Sequence, residues 1–344
     1  MRTVNHERRV RRGAVKLRLA AALLVVAAAM LPPAGCRRGG TGGGTARESV
    51  IFAVGGMPLS APVYVALEKG FFEKEGLDVT FQPHAAGKDA LASVVGGRAH
   101  FCASAETPVM FAALQGEKIL ILATVATARN HLKIVARKDT GIAGPKDLKG
   151  KRVAAFRRGA AEYFLDAYLT YHGIRKADVR VLDVGPEETI AALKSGAIDA
   201  AVTWDPLLAT QLKALGGDAT VLENERIYQL QWNIVAGKEF VAGHPELVDK
   251  VLRALIEGIA FVREHPEEAH AITARRLGGE SFDLAEYDFR VTLGQSLLVN
   301  LENQARWAIR NGLVDAREVP SFLPLLYTRG LDGVGPRAVT AIHR

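Results

Sequence analysis

From Val50 onward, short β-branched and apolar runs alternate with longer stretches whose apolar positions recur every three or four residues. That pattern predicts strands separated by amphipathic helices. Val50 to Val54 and Val79 to Phe81 read as strands around a helix near Ala61 to Lys69, in which Val63, Ala66 and Leu67 share a face. A helix over Asp89 to Val95 and a strand over His100 to Ala103 follow, then a helix opened by Pro108 with Thr107 placed to cap it, since proline is favoured at the first helical position. Ile119 to Val125 and Ile134 to Ala136 are further strands. After a turn-rich segment the alternation restarts: Arg152 to Phe156, Ala160 to Tyr171, Val179 to Val184, Glu187 to Lys194 and Ala200 to Trp204. From about Pro245 the chain reads as nearly all helical. The expectation is an α/β fold in two lobes with mostly parallel sheet and a helical C-terminal segment, its ligand cleft between the lobes, where the loops after each strand gather.

The N-terminal region follows a different pattern. Leu19 to Leu31 is an uncharged apolar run; its 13 residues make about 20 Å of helix, short of a hydrocarbon core about 30 Å thick. The preceding residues carry Arg2, Arg8, Arg9, Arg11, Arg12, Lys16 and Arg18 against Glu7 alone, so the stretch reads as an export signal. Ala34-Gly35-Cys36 then resembles a bacterial lipobox, in which the cysteine is acylated and becomes the new N-terminus; Pro33 stands where leucine is usual. Arg37 to Arg47 holds five Gly and no large apolar side chain, the composition of a flexible tether. Stable anchoring needs more than one acyl chain, which a diacylated and N-acylated Cys36 would supply.

Charge changes the picture once it is located. The 344 residues carry 44 Lys and Arg against 37 Asp and Glu, a formal +7. Residues 1–35 hold seven of those bases and one acid, leaving 37 against 36. A nearly neutral mature chain gives no global argument for nucleic acid. There are two Cys, so a lipidated Cys36 leaves Cys102 without an intrachain partner. No His/Cys spacing suits a metal, and no P-loop, nucleophile elbow or dinucleotide fingerprint occurs.

Three blocks resemble the periplasmic solute-binding proteins of ABC importers in the nitrate/sulfonate/taurine group, including THI5-like members. They are Ala61 to Phe72 with Glu75 to Val79, Asp147 to Val153, and Leu193 to Pro206. The resemblance implies the two-lobe periplasmic binding protein-like fold of type II, with lobe I over 49–128 and 230–331, lobe II over 129–229 and a tail over 332–344, behind a signal over 1–35 and a lipidated tether over 36–48. It further implies a monomer outside the cytoplasm that closes on a small solute and docks on a membrane permease, with no cofactor, metal or reaction. A sulfonate, taurine or nitrate-like anion or zwitterion is the expected ligand, and a pyrimidine precursor of thiamine the alternative. A pyrimidine synthase on the same fold would need a Cys-rich iron motif that is absent. A sensory partner of a membrane receptor is not separated from transport by these residues.

The expected ligand-binding residues lie in the loops after strands: Ser60, Gly87, Ser104, Glu106, Thr107, Thr127, Gly159, Ala160, Ala161, Trp204 and Asp205. Gly159 to Ala161 would offer backbone N–H groups at a helix start. Glu106 would meet either the helix dipole or a donor on the ligand, Thr107 would cap or line, and Trp204 would stack on the ligand or be buried against the next helix. Thr127 would serve as hinge or lining, and Glu106 with Asp205 would favour an amine or ring N–H. Lys88 reads as a surface lysine or as a positive charge over the pocket, and Cys102 as core.

Overall fold

The computed structural model describes residues 47–340 except 225, 280 and 281. The expected signal, Cys36, nearly all of the tether and the last four residues lie outside that set. The first lobe opens with β1 (Glu48–Gly55), α1 (Ala61–Glu68), α2 (Phe71–Lys74), β2 (Leu77–His84), α3 (Gly87–Val95), β3 (Phe101–Ala105), α4 (Glu106–Leu114) and β4 (Ile119–Ala128). The second lobe holds β5 (Lys133–Arg137), β6 (Arg152–Ala154), α5 (Ala160–Tyr171), β7 (Arg180–Leu182), α6 (Glu188–Ser195), β8 (Ala200–Thr203), α7 (Leu207–Leu215) and β9 (Ala219–Leu222). The chain then returns through β10 (Leu230–Gly237), α8 (Lys238–Gly243), α9 (Pro245–Glu264), α10 (Pro266–Leu277), β11 (Tyr287–Thr292), α11 (Gln295–Arg310) and α12 (Arg329–Val334).

The strands form two sheets, ordered β11-β4-β10-β3-β1-β2 and β7-β6-β8-β5-β9. The chain passes between them twice, from β4 to β5 and from β9 back to β10. Among the named strands of the described residues, parallel pairs are those within β2-β1-β3 and β7-β6-β8; β10, β11 and β5 run antiparallel to their neighbours. This corrects the expectation of mostly parallel sheet: both chain reversals bring a strand back the other way. The segment after Pro245 is likewise not all helix, because β11 adds an edge strand on β4. Its inner residues Tyr287 and Phe289 are buried and alternate with exposed Asp288 and Arg290, a period-two pattern too short to stand out between two helices.

Burial follows the sequence periodicity. All ten residues of β4 except Thr127 are buried, as an unbroken apolar run in a covered sheet requires. The helix α9 starts on Pro245 and buries Leu247, Val248, Val251, Leu252, Leu255, Ile259 and Val262 along one stripe. Gly258 lets it approach α1: a Cβ there would lie 2.5 Å from the carbonyl oxygen of Pro62. The second lobe has a small core of its own around Val135, Ala154, Leu193, Ile198, Ala201 and Leu208. Between the lobes, the indole N–H of Trp307 on α11 donates to Asp166 on α5 at 2.7 Å, and Tyr163 sets its ring edge-on to Tyr228 and Trp307.

Candidate functional site

A cavity of about 40 Å³ lies between the strand ends of the two sheets. Met57, Ala86, Gly87, Lys88, Ala105, Pro108, Leu230 and Trp232 line it from the first lobe and the strand returning to it. His131, Leu132, Phe156, Gly159, Ala160, Ala161 and Trp204 line it from the crossing segment and the second lobe. Three helices begin on this wall: α3 after Ala86, α4 after Ala105 and α5 after Gly159. The N-cap residues Ala86, Ala105 and Gly159 make no side-chain capping bond. The first N–H groups of a helix have no intrahelical acceptor, and the macrodipole leaves them positive. At α4 the third residue is Pro108, which has no N–H, and the Glu106 carboxylate takes its own N–H, so the helix starts with free donors at the cavity are those of α3 and α5, groups suited to oxyanions or other acceptors.

The apolar wall is aromatic. Trp232, almost fully buried, faces Ala105 across the β10–β3 pairing, which carries its ring to the cleft. Its indole N–H donates to Ser60 Oγ at 3.1 Å, and Ser60 in turn donates to the Gly55 carbonyl at 3.0 Å. Gly87 leaves the room for that ring: a Cβ would lie 2.6 Å from Trp232 Cη2 and 3.0 Å from Ser104 Cα. Lys88 crosses the cleft. Its ammonium donates to the Arg157 carbonyl of the second lobe at 2.8 Å and sits 4.3 Å from the centre of the Phe156 ring.

The structure brings Gly87, Gly159, Ala160, Ala161 and Trp204 together on the cavity. Ser60 and Ser104 are fully buried one layer behind, the first holding Trp232 and the second donating to the Ala105 carbonyl at 3.4 Å. Glu106 is also fully buried and is occupied by protein donors. Its oxygens accept from the Tyr228 hydroxyl, the Gln231 N–H at 2.9 Å, Asn300 Nδ2 at 3.0 Å and Gln304 Nε2 at 2.9 Å. Burial raises its pKa, and those donors pull it back. Thr107 does not cap α4, whose N-cap position is Ala105; its hydroxyl lies 3.5 Å from that of Tyr228. Thr127 lines a separate open groove with Arg129, Asn130, Lys133 and Glu223. Asp205 is half-buried and off the cavity wall, its pKa raised by burial and by Glu286 and Glu223 against the pull of Lys133.

Residues that sequence reasoning passed over are Trp232, His131, Phe156 and Met57. Trp232 lies in a strand that the periodicity did not mark, and His131 in the short crossing segment between β4 and β5. His131 is 3% exposed, its Nδ1 is 3.2 Å from the Tyr287 hydroxyl, and burial, aided by the charge of Lys133, lowers its pKa to about 3. Cys102 is fully buried in β3, and burial pushes its thiol pKa up, the state of an inert core thiol. Among the described residues no cluster of His, Cys, Asp or Glu is placed to hold a metal, and no helix is long and apolar enough to cross a membrane.

Two lobes joined by two crossings, with uncapped helix ends and aromatic faces around the cleft, have the architecture of periplasmic binding proteins. The alkanesulfonate-binding protein SsuA from Xanthomonas axonopodis pv. citri, solved with MOPS bound, shares this fold with a TM-score of 0.72 at 19% identity, over 81% of this chain and 98% of that one. Residues 57–269 match the model of the NMT1/THI5 like family, and the chain belongs to that family. It is 32% identical to the riboflavin-binding protein RibY of Chloroflexus aurantiacus over 61% of this chain and 60% of that protein. It is 29% identical to the taurine-binding periplasmic protein of Escherichia coli over 57% of this chain and 61% of that protein. The matched stretch therefore spans about three-fifths of the length of these two curated relatives.

Proposed function

We propose that this protein is an exported, lipid-anchored solute-binding protein that closes its lobes on a small solute and presents it to the permease of an ABC importer. The observation that carries the reading is the meeting of two uncapped helix starts, α3 from one lobe and α5 from the other, on one cavity. A ligand that bonds to both sides at once stabilises the closed state by its differential affinity for it. The helix ends favour a sulfonate-like head, and Trp204, Trp232 and Phe156 an apolar body, once the lobes part, since the cavity of about 40 Å³ is too small for such a solute. The carboxyl of Glu106 is already surrounded by protein donors, so the cleft favours an anion over a zwitterion whose ammonium would need that group. Binding rather than turnover is the role, and Cys36 is the anchor.

A second reading, a flat heterocycle such as a flavin or a pyrimidine, is favoured by the aromatic faces of Trp204, Trp232 and Phe156 and by the likeness to a riboflavin-binding protein. A thermal-shift panel of alkanesulfonates, taurine, nitrate, riboflavin and pyrimidines separates the two. A ligand at one hundred times its Kd adds about 2.7 kcal/mol. Stabilisation by sulfonates supports the first reading and stabilisation by heterocycles alone the second. Melting unmoved by every solute, with product forming in a turnover assay, would reject both.

A further inference from the structure

We propose that His131 is a ligand-binding residue that presents an Nε2–H donor to the cleft, so that the bound solute must place an oxygen or nitrogen acceptor against it. The proposal rests on the reading of the cleft as the solute site and specifies what that site recognises.

Three observations converge. His131 lines the cavity from the segment joining the two lobes. The residue is 3% exposed, and its Nε2 has no hydrogen-bond partner among the described residues. Buried polar atoms without partners are uncommon, and each calls for a physical reason. Other unpartnered buried atoms, such as Gln82 Oε1 and Thr203 Oγ1, belong to side chains away from the cavity wall, whereas His131 stands on it.

The Nε2–H form takes Tyr287 as the giver: its hydroxyl lies 3.2 Å from His131 Nδ1, a pair in which either atom can donate, and a buried phenol hydrogen needs an acceptor. A neutral imidazole has one donor and one acceptor nitrogen. With Nδ1 accepting the phenol hydrogen, the ring proton belongs on Nε2. The hydrogen-bonding groups available to a ligand are then donors: the first N–H groups of α3 and α5, and the imidazole N–H. The ammonium of Lys88 is already bonded to the Arg157 carbonyl. A wall of this kind recognises acceptor-rich groups such as sulfonate, carboxylate or carbonyl oxygens and leaves an ammonium no hydrogen-bond acceptor, only aromatic faces.

The test uses the full chain labelled with ¹⁵N-histidine, with ethanesulfonate, riboflavin and ethylamine as probes. Long-range ¹H–¹⁵N spectra should show His131 as the Nε2–H tautomer, and Tyr287→Phe should relax that preference. Ethanesulfonate or riboflavin should shift the Nε2 resonance, and ethylamine should not. His131→Leu should weaken the bound probe about tenfold, the scale of one buried hydrogen bond. His131→Gln, which keeps an N–H near the same position, should stay within about threefold of wild type. An Nδ1–H tautomer, or full affinity in His131→Leu, would overturn the proposal. Failure of every probe to bind would overturn the proposal together with the solute reading, whereas an Nδ1–H tautomer with a probe bound would overturn the proposal alone.

Discussion

Replacing Glu106 by Gln decides whether this carboxylate serves the ligand or the frame. One oxygen, Oε1, accepts from the Tyr228 hydroxyl, Asn300 Nδ2 and Gln304 Nε2, and the other, Oε2, from the Gln231 N–H. Glutamine keeps one acceptor. With its oxygen toward the three side chains, its NH₂ group faces the Gln231 N–H, a backbone donor that cannot rotate away; the opposite orientation sets N–H groups against three donors. The first arrangement is the cheaper and leaves one buried donor unmet, a cost of about 1–3 kcal/mol, offset in part by relief from burying a carboxylate. Burial, the largest influence on this carboxyl, raises its folded pKa. A group shifted that way contributes stability that is fully present below its unfolded pKa and is lost as pH rises through the folded one. Wild type loses this contribution between the two values and the glutamine variant has none to lose, so their difference should be larger at pH 5 than at pH 8. Urea unfolding at the two pH values measures it, and ligand titration of the same samples should agree within about threefold, because a side chain off the cavity wall contributes only through the frame. Unchanged stability with abolished binding would refute this reasoning and place Glu106 against the ligand.

Gly87→Ala should destabilise the protein by about 1–3 kcal/mol through overpacking, although alanine is favoured over glycine in helices, because the new methyl meets the Trp232 ring and Ser104 Cα; urea unfolding and a shift in tryptophan emission check it. Lys88→Met keeps a stem over Phe156 but removes the bond to the Arg157 carbonyl. It should speed solute dissociation several-fold in stopped-flow measurements while stability stays within about 0.5 kcal/mol. Cys36→Ser should move the protein from the membrane fraction to the soluble extracytoplasmic fraction, and continued tight attachment would reject lipidation.

What the sequence made legible was local. The alternation of strand and helix patterns located the loops after strands, and Gly87, Gly159, Ala160, Ala161 and Trp204 do meet on the cavity. What it hid depends on distant partners. Glu106 is drawn away from the cleft by Tyr228 and Gln304, 122 and 198 positions along the chain. Trp232 reaches the cleft only because β10 returns antiparallel between β3 and β4, setting it opposite Ala105. His131 depends on a tyrosine 156 residues further on. One signal was nevertheless open to reading. A helix that follows a strand ordinarily gains from a Ser, Thr, Asp or Asn at its N-cap, yet the residues there are Ala86, Ala105 and Gly159. At α4 the missing cap frees little, because Pro108 has no N–H and the Glu106 carboxylate takes its own. A helix end that forgoes a capping side chain keeps its N–H groups for another acceptor, and the two such ends on the cavity, those of α3 and α5, make the missing caps the sequence feature on which the proposed ligand site rests.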